Sequence, residues 1–228
     1  MAKKVTRKQL LKEPDEFITF FGRTVRWTTE HKKQITIAVA AVIAAGLLFG
    51  LVTLLKNRAE NKAFALLNQA NRKYEASLNE SNDPKKALEA VKNDFEFIVD
   101  EYSGYMGGKI ARVEFANYSY EAGEYDRSVE LFQKSLEDFG DDPIYRNFIW
   151  SGLAYAYAAK NDYESSARYF EMVAQSDSRI LKDEALFNLG RIYAQSGKDE
   201  KSVSAYSKLA SDFPDSIYIE LIKDHLNE

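Results

Sequence analysis

Residues 35–55 read ITIAVAAVIAAGLLFGLVTLL, 21 residues without a charge, inside a chain whose other apolar positions recur three and four apart among polar ones. At the helical rise such a run covers roughly 30 Å, the hydrocarbon thickness of a bilayer. A helix satisfies its own backbone there, and the hydroxyls of Thr36 and Thr53 can bond back to the preceding turn. The pattern therefore predicts a transmembrane helix over 35–55. A removable signal would have a shorter apolar run, about 7–15 residues, and a small-residue cleavage site after it. Here 34 residues come first and Lys56, Asn57 and Arg58 follow directly, which predicts an uncleaved anchor.

After the anchor the pattern changes to a repeated one. Gly123-Glu124-Tyr125-Asp126-Arg127-Ser128-Val129 with Phe132, Asn161-Asp162-Tyr163-Glu164-Ser165-Ser166-Ala167 with Phe170, and Gly197-Lys198-Asp199-Glu200-Lys201-Ser202-Val203 with Tyr206 share one grammar, offset by 38 and then 36 residues. A period of this size is the mark of a helical solenoid. The Gly or Asn suits a left-handed turn between two helices, and the small residue six positions on is expected to let the second helix pack closely on the first. Leu186, Leu189-Gly190, Tyr193, Gly197, Tyr206 and Pro214 match the tetratricopeptide (TPR) pattern. Trp150, Leu153-Ala154, Tyr157, Asn161 and Phe170 repeat it, and Phe115-Ala116 with Phe132 form a looser unit in which Ser119 replaces the motif's tyrosine.

An earlier hairpin is expected from a long first helix, a turn at Asn82-Asp83-Pro84 and a helix through Phe95 and Ile98 that ends at Tyr102-Ser103-Gly104. Gly107-Gly108 are assigned to the connection that follows. The prediction is an all-α chain: one N-terminal transmembrane helix, then a TPR-like solenoid of four hairpins over 56–228, closed by a polar helix from Ser216 to Leu226 that covers the open apolar end. With neither Gly nor Pro between Gly50 and Leu78, the anchor is expected to continue straight into the first solenoid helix.

Charge divides at the anchor. The first 34 residues hold nine Lys and Arg against four acids, residues 56–228 hold 22 against 31. The positive-inside tendency puts the tail in the cytoplasm and the large domain across the membrane, although within twenty residues of the span four cations (Arg23, Arg26, Lys32, Lys33) face five (Lys56, Arg58, Lys62, Arg72, Lys73). In the tail, Pro14-Asp15-Glu16 reads as a helix start, and Phe17, Phe20, Phe21 and Val25 with Arg23, Arg26 and Trp27 read as an amphipathic segment on the lipid surface. The alternative for this stretch is a disordered basic tail.

Catalysis finds little footing. There is no cysteine, the two histidines, His31 and His225, cannot meet, and the carboxylates occur on helix faces and in caps. No ligand set with metal spacing and no phosphate-cradling glycine loop is present, so no cofactor, metal or small-molecule substrate is expected. The acidic domain disfavours nucleic acid. Gly46 and Gly50 form a GxxxG extended by Ala41 and Ala45, a face for packing against another membrane helix.

The first helix of each hairpin lines the concave side of such arrays. That register places Val113, Asn117, Tyr120, Phe148, Ser151, Tyr155, Phe187, Asn188 and Arg191 in a groove for protein partners, the aromatics suiting extended chain segments. The ring of Lys, Arg and Asn that would clamp an acidic chain end is missing.

A basic tail with aromatics (Phe17 to Trp27, then Lys32 and Lys33), one membrane helix and a small TPR-like domain resembles the YfgM-type ancillary subunits of the bacterial SecYEG translocon. The resemblance implies a single-pass inner-membrane protein with a periplasmic domain. It would contact translocon subunits, a membrane-anchored chaperone and exported polypeptides as a chaperone-like factor. The other reading of the residues is a structural scaffold or adaptor in an envelope assembly, division or secretion complex.

Overall fold

The computed structural model describes residues 16–226 of the 228 in the chain. Pro14, Asp15 and the Phe17 side chain, part of the amphipathic reading of the tail, lie outside what is described, as does the His225 side chain. The chain divides into two compact units, Met1–Asn57 and Arg58–Glu228.

In the first unit, α1 spans Glu16–Glu30. Phe20, Phe21, Val25 and Trp27 are exposed on it, and Trp27 stacks on His31 with ring centroids 5.0 Å apart. The helix that follows, α2, runs unbroken from Lys32 to Ser81, and its apolar stretch has a mean hydropathy of 2.7 with none of it buried. It is long and apolar enough to cross a membrane. The Thr36 and Thr53 hydroxyls donate to the carbonyls of Lys32 and Phe49, one turn back along the helix. A methyl placed on Gly46 or Gly50 would meet no atom within 4 Å.

The second unit contains the end of α2 and, among the described residues, eight further helices: α3 (Pro84–Glu101), α4 (Met106–Glu121), α5 (Tyr125–Phe139), α6 (Pro143–Ala159), α7 (Tyr163–Gln175), α8 (Lys182–Gln195), α9 (Asp199–Asp212) and α10 (Ile219–Leu226). The helices pair as antiparallel hairpins, α2 with α3, α4 with α5, α6 with α7 and α8 with α9. Local chemistry sets their ends. Asp83, Asp142 and Asp162 accept backbone N–H groups of the first turns of α3, α6 and α7, with proline at the first position of α3 and α6. The hairpin turns place Gly123, Asn161 and Gly197 at φ of 80°, 62° and 68°, the left-handed region that these residue types tolerate.

Packing follows from the repeated small residues. Ser128, Ser166 and Ser202 are buried at the start of each second helix. They stand five positions after the turn residue; the expected sixth position is also buried in the first two units (Val129 8%, Ala167 7%) but not in the last, where Val203 is 45% exposed. The reason is register, since the left-handed turn residue is followed by non-helical backbone and the fourth helical position then faces inward. Gly107 and Gly108 also depart from expectation. They are buried in the first turn of α4: a methyl on Gly107 would come within 2.7 Å of the Ala63 Cβ, a close crossing with α2, and one on Gly108 would meet the Tyr102 carbonyl oxygen at 2.0 Å.

Two apolar clusters fill the solenoid. The first gathers Leu67, Tyr74, Leu88, Phe95, Phe115 and Phe132 from α2 to α5, and the second gathers Phe170, Val173, Leu186, Leu189, Tyr206 and Leu209 from α7 to α9. They share α6 as a wall: Ile149, Leu153 and Ala156 face the first cluster and Ala154 faces the second. α10 begins at Ile219, three residues later than Ser216, because Pro214 to Tyr218 form turns, and it buries Ile222 completely against the second cluster as a terminal cap.

Candidate functional site

The first helices of the hairpins, α2, α4, α6 and α8, carry one connected polar and aromatic surface. At its start Tyr74 and Tyr118 stack with centroids 3.7 Å apart. The Tyr74 hydroxyl donates to Glu121 at 2.7 Å, the Asn71 amide donates to Glu114 at 2.5 Å, and the Tyr118 hydroxyl donates to Asn71 at 3.3 Å. Burial and the carboxylates of Glu114, Glu121 and Glu75 push the Tyr118 phenol up to about 12, and burial raises Glu114 above the ordinary carboxylate range.

In the middle, Tyr120 of α4 meets Tyr155 of α6 at 6.4 Å. With Phe170, Asn188 and Arg191 they border a cavity of about 290 Å³. The Tyr155 hydroxyl donates to Glu184 at 2.5 Å and accepts from the Asn188 amide at 2.8 Å; burial and the bond to Glu184 raise its pKa strongly, against the opposing effect of the Asn188 donor. Arg191 donates to the Asn188 carbonyl oxygen at 3.4 Å and lies over the Phe187 ring. At the far end Phe187 stacks on Tyr218 at 4.7 Å, and Ser216 donates to Asp183 at 2.7 Å.

The structure thus brings Tyr120, Tyr155, Phe187, Asn188 and Arg191 together. Asn117 is exposed, and Phe148 is 49% exposed near the start of α6. Val113 packs against the first apolar cluster, and Ser151 is buried with a hydroxyl that has no hydrogen-bond partner. Sequence reasoning missed Asn71, Tyr74, Glu114, Tyr118, Glu121, Glu184 and Tyr218. On α4 the signal was present as Glu114, Tyr118 and Glu121 at i, i+4 and i+7, a face one residue over from Val113, Asn117 and Tyr120.

Charge is sorted across the solenoid. Cations pair with acids on and around the second helices: Arg112 and Lys109 with Asp138, Arg127 with Glu96 and Glu124, Lys160 with Asp126 and Lys73 with Asp94. On the first-helix face Glu75, Glu114, Glu121, Asp183 and Glu184 form no ion pair with Lys or Arg among the described residues. No grouping of three His, Cys, Asp or Glu suited to a metal ion occurs among the described residues.

Two family models, each described as tetratricopeptide repeat, match residues 113–179 and 184–216. No curated protein matches this sequence. Among solved structures, the chain is similar to the nearly identical TPR-like repeats described for a kinesin light chain from Podosopora anserina. A point variant of that protein gives a TM-score of 0.52 at 15% identity, and a second structure gives 0.51 at 15%, each covering 67% of this chain and 75% of the other. At that identity the likeness speaks to fold alone. The all-helical fold is a TPR-like solenoid, and its repeats make the domain a protein–protein interaction module.

Proposed function

We propose that the chain is a non-enzymatic, single-pass protein of the bacterial inner membrane. Residues 35–55 would form the anchor, the basic tail 1–34 would lie on the cytoplasmic surface, and the solenoid 56–228 would present its first-helix face to protein partners in the periplasm. Its role is that of an ancillary, chaperone-like factor at the translocon, receiving exported polypeptides beside translocon subunits and a membrane-anchored chaperone. The observation that carries this reading is the row of tyrosines, amides and carboxylates along the first helices, open to solvent in the groove at Tyr120 and Tyr155 and suited to an extended chain. The charge-free stretch of α2, none of it buried in the protein, supports the anchor.

The test is crosslinking in intact membranes of the native cell with a tag at residue 228, followed by mass spectrometry and protease access to the tag in the same preparation. Recovery of translocon subunits with a tag shielded from the cytoplasm supports the reading. One stoichiometric folded complex of another kind, or a tag open to the cytoplasm, replaces it with a scaffold. Ile217 and Leu221, 81% and 62% exposed at the capped end, are where such a folded partner would sit.

A further inference from the structure

The geometry points to the ligand of the first-helix face as an extended polypeptide segment in which one apolar side chain is flanked on both sides by lysine or arginine. The inference rests on the groove reading above and adds the chemistry of the partner.

Three features in helix order carry it. Between α2 and α4, Glu114 accepts from the Asn71 amide and Glu121 from the hydroxyl of Tyr74, the ring on which Tyr118 stacks. Between α4, α6 and α8 comes the cavity of about 290 Å³, walled by Tyr120, Tyr155 and Phe170. Beyond it, Asp183 accepts from Ser216 and Glu184 accepts from Tyr155. The first and third are anionic and lack a cationic partner among the described residues, although Lys and Arg elsewhere in the same solenoid are engaged in ion pairs. The acids of this face are held instead by neutral donors, Asn71, Tyr74, Tyr155 and Ser216, which fix their orientation and leave their charge uncompensated.

The middle feature is different in character. Its one cation, Arg191, is tied to Asn188 and lies over Phe187, so the cavity itself suits an apolar or aromatic side chain rather than a second cation. An extended chain crossing the first helices would meet acid, apolar wall and acid in that order. Acidic segments would be repelled at both ends.

The experiment measures fluorescence anisotropy of short labelled peptides with the full chain in lipid nanodiscs. The peptides alternate leucine with lysine, with serine or with glutamate. The expected result at low salt is that the lysine peptide binds about tenfold more tightly than the serine peptide, that the glutamate peptide binds least, and that added salt erases the difference. The combined Glu114→Gln, Glu121→Gln and Glu184→Gln variant keeps the acceptor oxygens and should lose the preference, whereas Glu89→Gln, Glu137→Gln and Glu200→Gln, exposed elsewhere on the solenoid, should retain it. Equal binding of lysine and serine peptides, abolished by Tyr155→Ala, overturns the charge inference while leaving the groove in place. A lysine preference unchanged by the first triple variant also overturns it. Failure of every peptide to bind overturns the groove reading with it.

Discussion

The Asn188 amide donates to the Tyr155 hydroxyl at 2.8 Å while that hydroxyl donates to Glu184 at 2.5 Å, so one phenol links α6 to α8 across two hairpins. Removing it leaves an amide hydrogen and a carboxylate oxygen without their partner. Tyr155→Phe should therefore cost about 1–3 kcal/mol and lower Tm by a few degrees. Asn188→Ala added to it should cost less than it does alone, because both act on one network. Thermal unfolding of the two single variants and the double variant checks this.

Glu60 shows a contact of similar consequence at the other end of the domain. Its two carboxylate oxygens accept the backbone N–H groups of Met106 and Gly107 at 3.0 and 2.8 Å, capping α4 from 46 and 47 residues away. Glu60→Ala should cost about 1 kcal/mol by leaving two first-turn donors without a protein acceptor. Denaturant unfolding should show a lower midpoint with an unchanged slope.

Close packing sets a third expectation. A methyl on Gly190 would lie 2.2 Å from the Tyr206 ring, and one on Gly152 would lie 2.3 Å from the Phe132 ring, whereas one on Gly104 meets nothing within 4 Å. Gly190→Ala and Gly152→Ala should each cost about 1–3 kcal/mol through displaced rings. Gly104→Ala should stay within about 0.5 kcal/mol of the parent. Equal midpoints for all three would contradict the packing described.

The buried phenols give the domain an alkaline limit. Burial and the hydrogen bonds to Glu121, Glu184 and Glu171 raise the pKa values of Tyr74, Tyr155 and Tyr193 above the ordinary 10.0. The native state then keeps protons that the unfolded chain has released, so stability falls as pH rises beyond about 10. Tyrosinate absorbance should rise in two stages, the second coincident with loss of helical signal. Glu114, raised by desolvation, has the same sign in a lower window: its contribution falls as pH climbs above 4.5. Glu114→Gln should be the more stable form at neutral pH, and the advantage should vanish toward acid pH.

The fold was legible where one residue type has one local job. Gly123, Asn161 and Gly197 announced their left-handed turns, Asn82-Asp83-Pro84 announced the turn before α3, and the uninterrupted run to Leu78 announced α2. Contacts made across hairpins were not legible. Nothing in the local sequence around Glu60 points to Gly107, and Gly107-Gly108 read as a loop because the close approach of Ala63 is a tertiary fact. The groove was half legible for the same reason. Tyr120, Tyr155 and Asn188 follow from repeat register, but the carboxylate that takes the Tyr155 hydroxyl, Glu184, comes from the next hairpin. On α4 a shift of one residue, about 100° around the helix, moved the polar face from Asn117 to Glu114 and Tyr118.

The central claim is that the first-helix face receives a polypeptide, and the measurement closest to it is site-specific photocrosslinking in native membranes. A photoreactive residue at Asn117, Phe148 or Arg191 on that face would be compared with one at Lys134, Arg168 or Val203 on the second helices, all exposed positions. The account predicts the same protein adducts from the three first-helix positions, reduced by Tyr155→Ala, with the second-helix positions silent. Adducts confined to the second helices, or equal from both faces, would contradict it.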